Sequence, residues 1–429
     1  MAEYDSYIDS QIPYVGAIPS HWKTAPNKRV MHKEKRICDS YAGQDIISLT
    51  MKGAIVRDLG AGGKMPTTFD GYQFVYPGEL LMCLFDIDVT PRCVGRVYNE
   101  GLTSPAYSSF VLHDNADLGY FFYYYLMLDH TKELLHLAKN LRHSLTEEQL
   151  GQIKVPLPPL EEQVAITAYL DRETERIDAI TAEAKASIEE YKAWKASIIY
   201  GAVTKGLNPD VKMKDSGIEW IGQIPEHWKK CKIKQVADAY NGDRSSNYPS
   251  GDDIVAEGVP FITSNNLNAI VLTTQIEKNK FITEEKYNSL RGAKLQLDDI
   301  VFCLRGSVGK CSINKQYSCG TIASSLVVFR ARNIHPDYLN YVLQNNVITE
   351  MALTSAIGIG SLNLSAENIM GFPIAIPPME EQRKIAESLN TKCHAIEVII
   401  SEKEALVADL ESYKKSLIFE VVTGKRKVV

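Results

Sequence analysis

Several groups of residues in this 429-residue chain have the types and spacing to do chemistry. Arg305-Gly-Ser-Val-Gly-Lys310-Cys311 and Gly60-Ala-Gly-Gly-Lys64-Met65 set a lysine behind glycines, as a phosphate-cradling loop does. Neither has the G-x-x-x-x-G-K-[ST] spacing that aims backbone amides and the lysine at one phosphate chain. The eight cysteines, at 38, 83, 93, 231, 303, 311, 319 and 393, contain no Cys-x-x-Cys pair. They read as buried free thiols, and no metal site is expected. His21 and His227 stand in Ile18-Pro-Ser-His-Trp22 and Ile224-Pro-Glu-His-Trp228 with no nucleophile repeated beside them, so they read as structural caps and not as bases. No catalytic constellation emerges, and the chain is expected not to be an enzyme.

Composition narrows the class further. With 45% apolar residues the chain can bury two or three cores, which excludes full disorder. Its longest nearly unbroken apolar run, Gly119-Tyr-Phe-Phe-Tyr-Tyr-Tyr-Leu-Met-Leu128, is far short of the ~20 residues that cross a bilayer. The first residues, Met1-Ala-Glu-Tyr-Asp-Ser, carry no secretion signal, so no membrane association and a cytoplasmic location are expected. The net charge of −6 is uneven: residues 160–200 hold nine acidic and five basic side chains, and 379–421 hold nine and six. The rest is near neutral, which permits phosphate contacts.

The elements that position these residues occur twice. Asp9-Ser-Gln-Ile-Pro-Tyr-Val-Gly-Ala-Ile-Pro-Ser-His-Trp-Lys23 returns as Asp215-Ser-Gly-Ile-Glu-Trp-Ile-Gly-Gln-Ile-Pro-Glu-His-Trp-Lys229, and Pro158-Pro-Leu-Glu-Glu-Gln163 returns as Pro377-Pro-Met-Glu-Glu-Gln382. The offset grows between the two markers, so the second half carries an insertion. Each copy reads as a lead-in, a globule, a Pro-Pro turn and a long helix. Steps of four and three from Ile166 reach Leu170, Ile177, Ile180, Tyr191, Trp194 and Ile198; in the second copy they join Ile385, Leu389, Ile396, Ile399, Leu406, Leu410, Tyr413 and Leu417. A stripe of more than four heptads predicts that the helices pair with each other as an antiparallel coiled coil, in preference to packing on their own globules. Glycine stops follow at Gly206 and Gly424. Within the globules, Asp45-Ile-Ile-Ser-Leu-Thr50 matches the run 259–263, and Gly78-Glu-Leu-Leu-Met-Cys-Leu84 matches 298–304, all strand-like. The fold class is therefore α+β: two mixed α/β globules and two long helices, with boundaries at 1–155, 156–212, 213–374 and 375–429 and a pseudo-two-fold repeat.

Ile-Pro-x-x-Trp lead-ins, Pro-Pro-x-x-Glu-Gln before each long helix and two divergent globules, in ordered double occurrence over essentially the whole chain, resemble the specificity subunit of a type I restriction-modification system. One local departure is that Phe85-Asp-Ile-Asp88 is more acidic than 305–310 at the matching place. The resemblance implies that each globule is a target-recognition domain for one half of a gapped, bipartite double-stranded DNA site. It implies that the helices set the gap and dock two methyltransferase subunits, with motor-nuclease subunits added for cleavage. S-adenosylmethionine, ATP and Mg are then expected on the partners, with no cofactor on this chain. In agreement, the Asp/Asn-Pro-Pro-Tyr/Phe loop of adenine methyltransferases is missing, because Pro-Pro occurs only in Leu-Pro-Pro-Leu and Ile-Pro-Pro-Met.

Reading DNA takes phosphate contacts for register and Arg, Lys, Asn or Gln at base edges. The positions offered are Lys52, Arg57, Arg92, Arg96, Lys139 and Arg142 in the first half, and Ser264, Asn265, Asn266, Arg305 and Lys310 in the second. Asp86 could accept from a cytosine amino group. The stretch Tyr120–Tyr125 reads as helix core and not as a base-stacking platform. The alternative is a coiled-coil adaptor that binds proteins and has no DNA role. A steep weakening with salt separates DNA binding from it.

Overall fold

The computed structural model describes residues 3–60, 66–90, 92–138, 143–243, 245, 247–272, 280–355 and 364–428. The chain divides into two compact units: residues 1–184 with 405–429, and residues 185–404.

The first unit is built on a four-stranded antiparallel sheet. Its strands are β1 (Met31–Glu34), β4 (Leu80–Cys83), β5 (Val94–Arg96) and β6 (Tyr107–Leu112), in the order β1-β6-β4-β5. A hairpin, β2 (Ile47–Thr50) and β3 (Gly53–Val56), lies on it. Gly95 permits that approach, because a Cβ there would stand 2.6 Å from the Ala54 amide nitrogen of β3. Leu80-Leu-Met-Cys83 is buried along its whole length, as expected of a strand covered on both faces. The cover on one side is α1 (Leu118–Thr131), capped by Asp117 and apolar all round. Its tyrosines at 120, 123, 124 and 125 are core residues, as the sequence suggested.

The second unit repeats the plan with β7 (Ala237–Asn241), β8 (Val259–Ile262), β9 (Ile300–Cys303), β10 (Cys311–Ile313), β11 (Leu326–Ala331) and a helix, Pro336–Gln344. Its main sheet has the same order, β7-β11-β9-β10. The insertion falls between β7 and β9, where Ile254–Val255 and Lys280–Ile282 join β8 in a second sheet that Thr321–Ile322, between β10 and β11, completes.

Each long helix, Leu160–Lys205 and Met379–Val422, begins with two acids in its first turn, where the helix dipole favours negative charge. The repeated Glu-Gln is explained by what it grips. Glu162 Oε2 lies 2.8 Å from His21 Nε2, and Glu381 Oε2 lies 2.7 Å from His227 Nε2. The buried Gln163 side chain accepts from the Asp117 amide at 2.8 Å and donates to the Pro158 carbonyl at 2.8 Å. Gln382 does the same with His335 and Pro377. Both histidines therefore clasp the lead-in to the helix start. Each helix stops in a left-handed glycine seated on a lead-in tryptophan. Gly206 sits on Trp228 in the second unit, and Gly424 sits on Trp22 in the first.

In each unit the two long-helix segments run antiparallel. Ile166, Leu170 and Ile177 share the first core with Leu417, Ile418, Val421 and Val422. Ile199, Ala202 and Val203 share the second with Ile385, Leu389 and Cys393. Those cores also include the globules, so the stripe is divided between the partner helix and the unit's own sheet and helix. Four of the expected pairing positions face solvent: Ile180 is 38% exposed, Trp194 54%, Leu406 44% and Tyr413 50%. Tyr191, Ile198, Ile399 and Leu410 are half-buried, while Ile396 is buried. The covered stripe instead passes one residue later at alternate steps, through Thr174, Thr181 and Ile188 on the first helix and Cys393, Ile400 and Val407 on the second. It also takes in Lys195 and Lys414. Lys195 Nζ bonds Glu397 at 2.6 Å, and Lys414 Nζ bonds Asp178 at 2.6 Å, equivalent pairs in the two copies. A lysine can occupy the stripe because a carboxylate on the facing helix satisfies it. That is why the apolar Trp194 and Tyr413 beside the lysines misled the pattern. Among the described residues, no helix is long and apolar enough to cross a membrane.

Candidate nucleic-acid interface

In the first unit the loop 84–93 springs from the antiparallel pair β4–β5, and its base is bound on several sides. The Cys83 amide donates to the Cys93 carbonyl at 2.9 Å, and the Thr90 amide donates to the Asp86 carbonyl at 2.9 Å. From the end of α1, buried Asp129 accepts from the Cys93 amide at 2.8 Å. Lys132 donates to the Thr90 carbonyl at 2.9 Å and to Asp129 at 2.8 Å. Arg92 reaches out of this loop to the neighbouring hairpin turn. Its Nη1 donates to the Met51 carbonyl at 2.7 Å and its Nε to the Val94 carbonyl at 3.0 Å. Burial lowers the pKa of this guanidinium from its ordinary value. Lys52, the residue after Met51, is exposed, and Arg57 is half-exposed beyond the hairpin. The structure thus brings Lys52 and Arg92 to one corner. Asp86 and Asp88 are exposed there, and Asp88 is 2.9 Å from His143, whose hydrogen bond lowers the Asp88 pKa.

Arg96 has another role. It forms a two-pronged pair with Asp171 of the first long helix, 2.6 and 3.2 Å. The guanidinium lies over the Phe122 and Tyr123 rings, 4.4 and 5.0 Å from their centroids. Burial opposes its charge, but the Asp171 bond and charge outweigh it, so its pKa is raised. The expectation that Arg96 faces DNA is corrected on this ground: its fork is already filled. Lys139 and Arg142 lie outside the described residues.

The second unit puts a similar corner in the same place. The loop 304–310 joins β9 to β10, closed by the Cys303 amide donating to the Lys310 carbonyl at 2.8 Å. Arg305 is exposed at its tip. Lys310 Nζ donates to Asn268 Oδ1 at 2.9 Å, and Asn268 Nδ2 donates to the Asn265 carbonyl at 2.6 Å. Arg305 and Lys310 are thereby held beside Ser264–Asn266, a short 3-10 turn. Asn265 is exposed and Ser264 half-exposed. Asn266 is buried, and its Oδ1 accepts from the Thr263 amide at 2.9 Å, so it shapes the turn. The sequence reading missed Asn268, the link between the two loops. The run Asn265-Asn-Leu-Asn268 was the available signal.

In both units a basic residue before the last sheet strand bonds back to the segment that follows the first divergent strand. The second unit thereby exposes cationic and amide donors, Arg305, Lys310 and Asn265, the chemistry that phosphate oxygens and base edges accept, while the first exposes Lys52 beside a half-buried Arg92 and two carboxylates.

Residues 93–190 and 225–406, more than half of the chain, match the family model described as the type I restriction modification DNA specificity domain. The chain is 28% identical over 283 residues to the type I restriction enzyme MjaVIII specificity subunit of Methanocaldococcus jannaschii, covering 64% of this chain and 63% of that protein. It is 20% identical over 289 residues to the type I restriction enzyme EcoBI specificity subunit of Escherichia coli, covering 66% and 60%. The chain thus spans less than two thirds of the length of these relatives. A solved structure described as the basis of complex assembly and conformational transition of the type I R-M system shares the fold. Its TM-score is 0.66 at 15% identity, over 94% of this chain and 98% of that one.

Proposed function

This chain belongs to the type I restriction-modification DNA specificity family, and on that premise we propose that it is the non-catalytic subunit that reads a gapped, bipartite site in double-stranded DNA. The observation that carries this reading is the corner built twice on one sheet plan but furnished differently. Lys52 and Arg92 stand in one unit; Ser264, Asn265, Arg305 and Lys310 stand in the other. A duplicated scaffold with unlike reading loops suits two unlike half-sites. The two methyltransferase subunits dock on the long helices, where Trp194 and Tyr413, equivalent in the repeat, each expose an aromatic face. Those subunits carry S-adenosylmethionine and flip the adenine; motor-nuclease subunits with ATP and Mg complete the cytoplasmic complex.

The test is a genome-wide map of N6-methyladenine in the source cells, with this chain present and deleted. The expected result is loss of one gapped, two-part motif on deletion. An unchanged map, with binding that does not weaken as salt rises, would overturn the reading in favour of a protein-binding adaptor.

A further inference from the structure

Two histidines face each other at the edge of the first unit's sheet. His32 lies on β1, and His113 lies one residue past β6, where its amide donates to the Val30 carbonyl at 2.9 Å. His32 Nδ1 is 3.0 Å from His113 Nε2. The other nitrogen of each ring is committed elsewhere. His32 Nε2 is 3.3 Å from the Glu34 carboxylate, and His113 Nδ1 is 3.2 Å from the Arg29 carbonyl. Carboxylate and carbonyl oxygens only accept, so these outer nitrogens carry the ring hydrogens. In the tautomers that satisfy both outer contacts, the inner nitrogens are left with lone pairs aimed at one another. At 3.0 Å that is repulsive unless a positive centre lies between them.

The second unit shows how the same place is filled when nothing is missing. There the Arg332 amide donates to the Val236 carbonyl at 2.8 Å, repeating the His113 bond to Val30. The side chains are Asp238 and Arg332, 3.4 Å apart, with Arg332 also donating to the Lys234 carbonyl at 2.9 Å. One unit closes this edge with a permanent ion pair. The other closes it with two bases.

We propose that His32 and His113 bind a divalent transition-metal ion of the kind imidazole favours, zinc or nickel. Donation of the outer N–H to a carboxylate or a backbone carbonyl is how metal-binding histidines are oriented. Zinc–nitrogen bonds of about 2.0–2.1 Å, opened near the tetrahedral angle, separate the nitrogens by roughly 3.3 Å. The present spacing reaches that by a shift of a few tenths of an ångström. Among the described residues no third His, Cys, Asp or Glu side chain joins these two as a ligand. Water therefore fills the remaining positions, and the ion exchanges. No local pattern points to this pair, because 81 residues separate the two histidines.

The test is calorimetric titration of zinc chloride into the full chain and into the double variant His32→Asp with His113→Arg. That variant installs the second unit's pair and so preserves the edge. The wild type should bind one more zinc equivalent than the variant, and zinc should raise the melting temperature of the wild type alone. Uptake at the cysteines is common to both proteins and cancels. Equal zinc uptake by the two proteins, with both shown folded by circular dichroism, would overturn the proposal and leave a shared proton as the bridge.

Discussion

Arg92 and Arg96 are four residues apart and indistinguishable by type, yet one arches between loop and hairpin while the other is locked to Asp171. The difference was illegible because the partner of Arg96 lies 75 residues away in sequence. Variants of exposed loop residues and of locked ones should separate in the same way. Asn265→Ala or Arg305→Ala should relax one half-site only, by ~1–3 kcal/mol if the lost contact is bidentate to a base, as read by competition binding with single-base substitutions. Arg96→Ala should instead lower the melting temperature with no change in sequence preference. A pH effect belongs to the same scale. The Ser245 hydroxyl, together with the Ser245 and Arg291 amides that donate to Asp243 at 2.8 Å each, holds its carboxyl down to about 2 from an ordinary 3.8. A depressed carboxylate stabilises the fold above its unfolded pKa. That contribution should be full above about pH 4 and fade as pH falls toward 2. Acid titration of Asp243→Asn should show a shallower loss of stability over that window.

The existence, ends and repetition of the two long helices were legible, because Pro-Pro starts, first-turn acids and glycine stops are local signals. Their phase was not. A seven-residue count drifts against a helix of 3.6 residues per turn, and the paired lysines at 195 and 414 hide the true stripe. Ile199→Ala should therefore cost ~2–5 kcal/mol in urea unfolding, whereas Trp194→Ser should leave stability nearly unchanged and weaken methyltransferase binding. Likewise the divergent strands of the second unit were only partly legible, since the insertion builds a small sheet from short runs that lack regular alternation. If the helices are the ruler, removing seven residues from both, in register, should change the gap between half-sites and leave their sequences alone. A methylome with an unchanged gap would reject the ruler.

At the scale of the whole chain, the first unit is built from both ends of the sequence. The first unit takes Leu417, Ile418, Val421 and Val422 into its core, and the Lys425 ammonium donates to the Val15 carbonyl at 2.9 Å. Deleting 405–429 should unfold the amino-terminal unit while leaving the other intact, which hydrogen exchange would resolve unit by unit. The repeat was plain in the sequence, but which helix end serves which globule was not, because only folding reveals that partnership. The arrangement also bears on synthesis. The second unit is one continuous stretch, 185–404, and can close its core as soon as it has left the ribosome. The first must wait with an open core until residues 405–429 are made, roughly 10–50 s after residue 184 at ~5–20 residues per second. During that interval the nascent chain exposes the apolar surfaces of α1 and the sheet, so the first-made half of this protein is the last to finish folding and the one that chaperones would meet.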